Sequence, residues 1–277
     1  MKTILITGAS DGIGAAAARQ LATRGHRLLL TGRSKEKIEA VAQELGAKAF
    51  VADFSNLSEV RQLAQEIKTE LAGAGLDVLA NNAGGIFGDR NKTVDGNEMT
   101  FQINHLAQFL LTELLMENLL AAKEGASVIN TSSVANRLFA KIDLGDLDND
   151  KKFSANKAYG DAKLANILHA RGIQARYGTQ GISTVSFHPG AVATNFASET
   201  TSFMRLFYQT PLKKWGLISS EKGGGHLAWL IGGTPGLDWE VGGYYEERTL
   251  SKKINPQAKD DALVEGLWQK SKVLVGL

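Results

Sequence analysis

The stretch KTILITGASDGIGAAAARQLATRG (2–25) joins a short apolar run to an Ala-rich helical pattern through a turn holding three glycines. A strand feeding such a turn into a helix restricts the chain to few folds. The turn's backbone N–H groups and the positive end of the helix converge on one point, which favours a pyrophosphate. Gly12 permits close approach of the phosphates, and Gly14 close packing of the helix on the strand. Gly8, Ser10, Asp11 and Ile13 complete the candidate cofactor-binding turn.

The same alternation continues downstream. RLLLT (27–31), AKAFVA (47–52), LDVLAN (76–81), ASVINTS (126–132) and ISTVSF (182–187) read as buried strands, and the segments between them carry apolar residues at helical spacing. Strands alternating with helices of this length predict a doubly wound parallel sheet, a three-layer α/β/α arrangement in one domain over 1–277. One long helix is expected over 94–122 and another over 155–177. The segment 195–235 reads as a lid over a substrate pocket, as a helix packed over the sheet, or as a peripheral membrane patch with a thin basic face. GGYYE (242–246) reads as a last strand, followed by a C-terminal helix near 260–274.

The formal charge of +2 offers no field for nucleic acid or an anionic membrane, and the absence of cysteine removes disulfides and thiolate metal sites. The first apolar run is too short to span a bilayer or act as an export signal, so a soluble, cytoplasmic protein is expected. His26, His105, His169 and His226 show no metal-ligand spacing, and no metal is implied.

KAYGDAKLAN (157–166) places Tyr159 and Lys163 four positions apart, on one face of a helix. Hydride transfer at a carbonyl carbon needs a matched proton transfer at its oxygen. A free phenol titrates near ~10, and bringing it to ~7 takes about 4 kcal/mol of extra phenolate stabilisation. A neighbouring ammonium supplies charge of the right sign. At the end of the second strand, Gly32 stands where a carboxylate would bind a ribose 2′-hydroxyl, and Arg33 follows. Arg33 offers a planar grip on a 2′-phosphate, which favours NADP(H) over NAD(H).

TGASDGIG (7–14), NNAG (81–84), INH (103–105), TSS (131–133), Tyr159-x-x-x-Lys163 and HPGAVAT (188–194) occur in the order found in the short-chain dehydrogenase/reductase family. The chain resembles that family over residues 1 to about 195, and its retinol-dehydrogenase-like branch in particular. The resemblance implies a Rossmann-like fold and an oxidoreductase interconverting a carbonyl and an alcohol. Tyr159 would be the general acid and base, and Lys163 would hold the nicotinamide ribose. Ser133 would bond the substrate oxygen, with Ser132 taking that role if the motif slips by one, and Asn104 would anchor a water in a proton relay. Asp53, Phe54, Asn81, Ala83, Gly84, Pro189, Gly190, Val192 and Thr194 match cofactor-contacting positions. His188 is read as a turn residue. A small, apolar carbonyl or alcohol substrate is expected, and so is a homodimer or homotetramer built on the 94–122 and 155–177 helices.

Two features depart from the family pattern. The segment between Ser133 and Tyr159 is longer than in many members, and AYGDAK puts Asp161-Ala162 where x-Ser is common before the lysine. The rival readings are an NADP(H)-sensing module without turnover and a 3-oxoacyl or sugar-type reductase.

Overall fold

The computed structural model describes residues 1–191 and 218–277. Its first half alternates β1 (Thr3–Thr7), α1 (Gly12–Ala22), β2 (Arg27–Gly32), α2 (Lys35–Leu45), β3 (Lys48–Val51), α3 (Leu57–Leu71) and β4 (Val78–Asn81). Next come α4 (Met99–Phe101), a π-helical turn (Gln102–Leu106), α5 (Ala107–Leu114), α6 (Met116–Leu120), β5 (Ala126–Thr131), α7 (Ala135–Leu138), α8 (Ala155–Tyr177) and β6 (Ile182–His188). After the undescribed residues follow α9 (Ser220–Gly232), β7 (Tyr244–Glu246), β8 (Thr249–Leu250) and α10 (Asp261–Val275).

The strands form one sheet in the order β3-β2-β1-β4-β5-β6-β7-β8, parallel except for the final β7–β8 pair. Alternate residues of each strand face opposite layers. Ile4, Ile6, Val78, Ala80 and Ile129 join the core under α1, α2 and α9, whereas Leu5, Leu79 and Val128 join the core under α3, α5 and α8. Strands buried on both faces explain the continuous apolar runs in the sequence. The order reverses between β1 and β4, and at such a switch point a crevice opens beyond the carboxyl ends of the strands.

The Ala-rich face of α1 has a packing reason. A Cβ on Gly224 of α9 would lie 2.6 Å from the Ala16 Cβ and 2.8 Å from the Ala17 backbone nitrogen. The two helices therefore meet through small residues, and Leu227, Ala228, Leu230 and Ile231 of α9 enter the core below. Of the segment read as a lid or packed helix, the described part is thus a layer helix. Residues 192–217 lie outside the described residues.

The expected helix over 94–122 is interrupted. Glu98 caps α4 by accepting from the Thr100 and Phe101 N–H groups, the π turn inserts an extra residue, and Leu115 (φ −97°, ψ 5°) separates α5 from α6. Such π segments occur often at functional sites. Asn104 stands inside this one.

Helix α10 lies across α5 and α8. Its Leu263, Val264, Leu267, Trp268 and Val275 are buried. The Trp268 ring meets Phe109 edge-on at 5.0 Å, and the Arg176 guanidinium lies 4.1 Å from the Trp268 ring centroid. At Gly172 a Cβ would come within 2.7 Å of Trp268. As a result α5 is almost wholly buried, and α8 is buried throughout from Ala158 to Ala170, within a single chain. The faces that the family resemblance pairs across a dimer are covered by the chain's own C-terminus.

Candidate active site

A cleft of about 770 Å³ opens at the β1–β4 switch point. Gly8, Ser10, Asp11, Gly12 and Ile13 form one wall, at the N-terminus of α1. Gly14 lies behind them, where a Cβ would come within 2.2 Å of the Gly8 carbonyl oxygen. No other residue lets the helix start this close to its strand. The Asp11 side chain caps α1 through the Gly12 N–H at 2.7 Å, and its second oxygen lies 3.5 Å from the Lys37 ammonium. Lys37 thus offsets an acidic group beside a site suited to phosphates.

Arg33, Ser34 and Lys37 border the cleft at the end of β2. Gly32 is paired to Val51 in the sheet, and a Cβ there would lie 2.8 Å from the Ser10 hydroxyl oxygen. The Ser10 side chain thus fills the space a larger residue at 32 would need, and the basic side chains that follow are the charges presented. Asp53 and Phe54 line the adjoining wall, with Asp53 Oδ1 accepting from the Ser55 N–H at 2.8 Å. A glycine turn on a helix N-terminus, space for a large ligand and no acid at position 32 together fit a dinucleotide.

At the other end of the cleft stand Ser133, Tyr159 and Lys163. Tyr159 is 8% exposed and packs against Ile86 and Ala135. The Lys163 ammonium lies 5.5 Å from the Tyr159 ring centroid and donates to the Thr131 carbonyl at 3.3 Å. Burial away from water pushes Lys163 from 10.5 down to about 7. Ser132 donates its hydroxyl to the Lys163 backbone carbonyl at 2.7 Å and is buried, which fastens α8 to β5. Ser133 is the more open of the two, its oxygen accepting from the Ala135 N–H at 3.2 Å.

Asn104 stands behind the wall. Its Nδ2 donates to the Gly85 and Thr100 carbonyls, each at 2.7 Å, and its Oδ1 accepts from the Gly85 N–H at 3.2 Å. Those bonds hold the Gly84–Gly85 backbone beside Lys163, and the amide does not line the cleft. His188 lines the cleft, but burial pushes it down to about 4, so its ring is uncharged at neutral pH.

The two departures from the family pattern explain each other. The longer segment after Ser133 passes over α8 at Gly160, where a Cβ would lie 2.9 Å from the Ala140 backbone nitrogen. The next residue, buried Asp161, accepts from the Lys141 N–H at 2.8 Å and pairs with Lys157, which also donates to the Lys141 carbonyl. Gln257 clamps the same segment through both the N–H and the carbonyl of Ile142. Gly160-Asp161 is therefore the anchor of the insertion, directly beside Tyr159.

Ala83, Gly84, Pro189 and Gly190 also line the cleft. Asn81 does not. Its Nδ2 donates to Thr112 and Asn130 in the interior, and the neighbouring Asn82 reaches the cleft and bonds the Thr7 carbonyl at 3.0 Å. Strand alternation turns successive asparagines to opposite faces, a signal that was present in the sequence. Lys37 was also missed, although helical spacing puts it on the first turn of α2, near Arg33. Val192 and Thr194 lie outside the described residues.

The sequence profile of the family described as short chain dehydrogenase matches residues 2–205. A protein of Streptomyces sp. (strain C5) named as a daunorubicin C-13 ketoreductase is 39% identical over 282 residues, covering 99% of this chain and 93% of that protein. Human retinol dehydrogenase 13 is 33% identical over 286 residues, covering 100% of this chain and 85% of that protein. A crystal structure of an uncharacterised Mycobacterium Paratuberculosis protein superposes with a TM-score of 0.78 at 29% identity, covering 100% of this chain and 94% of that one. Among the described residues, no helix is long and apolar enough to cross a membrane. The chain belongs to the short chain dehydrogenase family, on its retinol-dehydrogenase-like side, and is an NAD(P)-dependent oxidoreductase.

Proposed function

We propose that the chain uses NADP(H) to interconvert a carbonyl and an alcohol on a small apolar molecule, with Tyr159 handling the proton. The carrying observation is that Tyr159, Ser133 and the buried Lys163 share one cleft with the glycine turn and with Arg33. When bound, the nicotinamide supplies or accepts the hydride. In reduction the Tyr159 hydroxyl gives its proton to the substrate oxygen, and in oxidation the phenolate takes it back. Lys163 stabilises the phenolate by its charge and holds the ribose, while the Ser133 hydroxyl bonds the substrate oxygen. Ile86, Phe87 and Val134 give the neighbouring wall an apolar lining, which favours an apolar substrate over a sugar. Val192 and Thr194 remain assigned to the cofactor by the family motif. The direct test follows oxidation of NADPH by absorbance across a panel of apolar ketones and aldehydes, where turnover by the intact protein supports the reading.

Arg33 and Lys37 are the groups for the 2′-phosphate. Arg33→Ala is expected to weaken NADPH about tenfold, the equivalent of ~1.4 kcal/mol, and to leave NADH nearly unchanged. Titration of each reduced cofactor by fluorescence measures both, and equal losses would contradict the assignment.

The covered faces of α5 and α8 support a chain that does not dimerise through those helices. Cysteines introduced on α8 are expected not to cross-link two copies of the chain. A dimer cross-linked between α8 of the two copies would contradict this.

A further inference from the structure

Thr131, the last residue of β5, carries a carbonyl that two side chains of α8 address at once. Lys163 Nζ donates to it at 3.3 Å and Asn166 Nδ2 at 3.0 Å. The β4–β5 pairing ends at Asn81 opposite Asn130, one residue short of Thr131. Asn166 and Lys163 lie one helical turn apart, so they reach the same oxygen from one face. The α8 backbone is bolted down at both points: Ser132 donates to the Lys163 carbonyl, and Asn130 Nδ2 donates to the Asn166 carbonyl at 3.0 Å.

The far side of Asn166 is equally specific. Its Oδ1 and the His105 Nδ1 are both buried and make no hydrogen bond, and the Asn166 amide lies near enough to act on the His105 ring. Across the ring, His105 Nε2 lies 2.9 Å from the Ser271 hydroxyl. One arrangement would satisfy every atom: Ser271 donates to Nε2, a small turn brings His105 Nδ1–H onto Asn166 Oδ1, and Asn166 Nδ2 donates to Thr131. With that contact closed, the chain of bonds would run from α10 through the π turn to the strand end that holds Lys163.

We propose that Asn166 is a positioning residue for Lys163: it keeps the Thr131 carbonyl satisfied, so the ammonium is free to turn from the strand toward Tyr159 and the cleft. A buried carbonyl with no donor is costly. Without Asn166, the strand end would have to retain Lys163, and the phenolate of Tyr159 would lose charge stabilisation. His105 acts behind Asn166 by fixing which way the amide points. This rests on the proton-transfer reading of Tyr159 given above.

The groups that can titrate around this point are few. Tyr159 and His169 come from α8, His105 from the π turn, His188 from the end of β6, and Tyr244, whose phenol burial pushes up, from β7. Burial is what lowers Lys163, with no carboxylate or guanidinium acting on it. Burial pushes His105 down to about 3 and His169 well below its ordinary value.

The test is the pH profile of kcat for alcohol oxidation with NADP, measured for the full chain. In Asn166→Ala, kcat should fall about tenfold, and the pH of half-maximal kcat should rise by about one unit, the equivalent of a tenfold loss of phenolate stabilisation. His105→Leu should move the midpoint in the same direction, and His105→Asn, which keeps an N–H near Nδ1, should restore it. The His105 pair carries the test if Asn166→Ala does not fold. An unchanged midpoint in Asn166→Ala or His105→Leu, whatever happens to the melting temperature, would overturn the inference. If Tyr159→Phe leaves the wild-type profile intact, the proton-transfer reading itself has failed.

Discussion

Tyr159→Phe is expected to lower kcat for ketone reduction by about 10²–10⁴-fold, the span typical of losing a positioned acid or base. The change removes one hydroxyl and keeps the ring that packs against Ile86 and Ala135. Folding should therefore be nearly unaffected, and NADPH should still bind, because the glycine turn, Arg33 and Lys163 are untouched. Single-turnover kinetics at saturating NADPH isolates the chemical step. A loss of less than tenfold would mean that another group supplies the proton. His188 is unsuited to that role, since it is neutral above about pH 4.

Lys163→Met is expected to make the ligand-free protein more stable and the enzyme far worse. Burial holds the folded-state lysine at about 7, against 10.5 in its ordinary state. Between those values the unfolded chain binds a proton that the folded chain lacks, so stability rises with pH across that window. Below about pH 7 the destabilisation is complete, and it fades as pH approaches 10.5. The melting temperature gained by Lys163→Met should therefore be larger at pH 6 than at pH 9. Catalysis should fall on the order of 10²–10³-fold, as when a group that stabilises developing charge is removed. A gain that grows with pH, or a variant less stable at both pH values, would contradict the burial of a titrating ammonium here.

How much of this was legible in the sequence depended on how local each signal was. The turn at 7–14 and the basic residue after β2 sit at the ends of consecutive elements, and the structure brings both to one cleft. The six strands from Thr3 to His188 were readable because each is a short apolar run bounded by turns. The break around Asn104 was not, because a π turn leaves the pattern of buried residues almost unchanged. Asp161-Ala162 read only as a departure from the family's x-Ser. The role of Asp161 depends on Lys141, twenty positions earlier, and on where the inserted segment folds back. The C-terminal helix was visible as a helix, yet nothing local indicated that Trp268 would fill the space beside Gly172 and Phe109. That contact closes the α5–α8 face.

The central claim is tested most directly by a crystal structure with NADPH and an unreactive ketone analogue bound together. The Tyr159 hydroxyl and the Ser133 hydroxyl should both lie within about 3.2 Å of the analogue's oxygen. A well-ordered complex with that oxygen bonded to other groups and the phenol beyond hydrogen-bond reach would contradict the account.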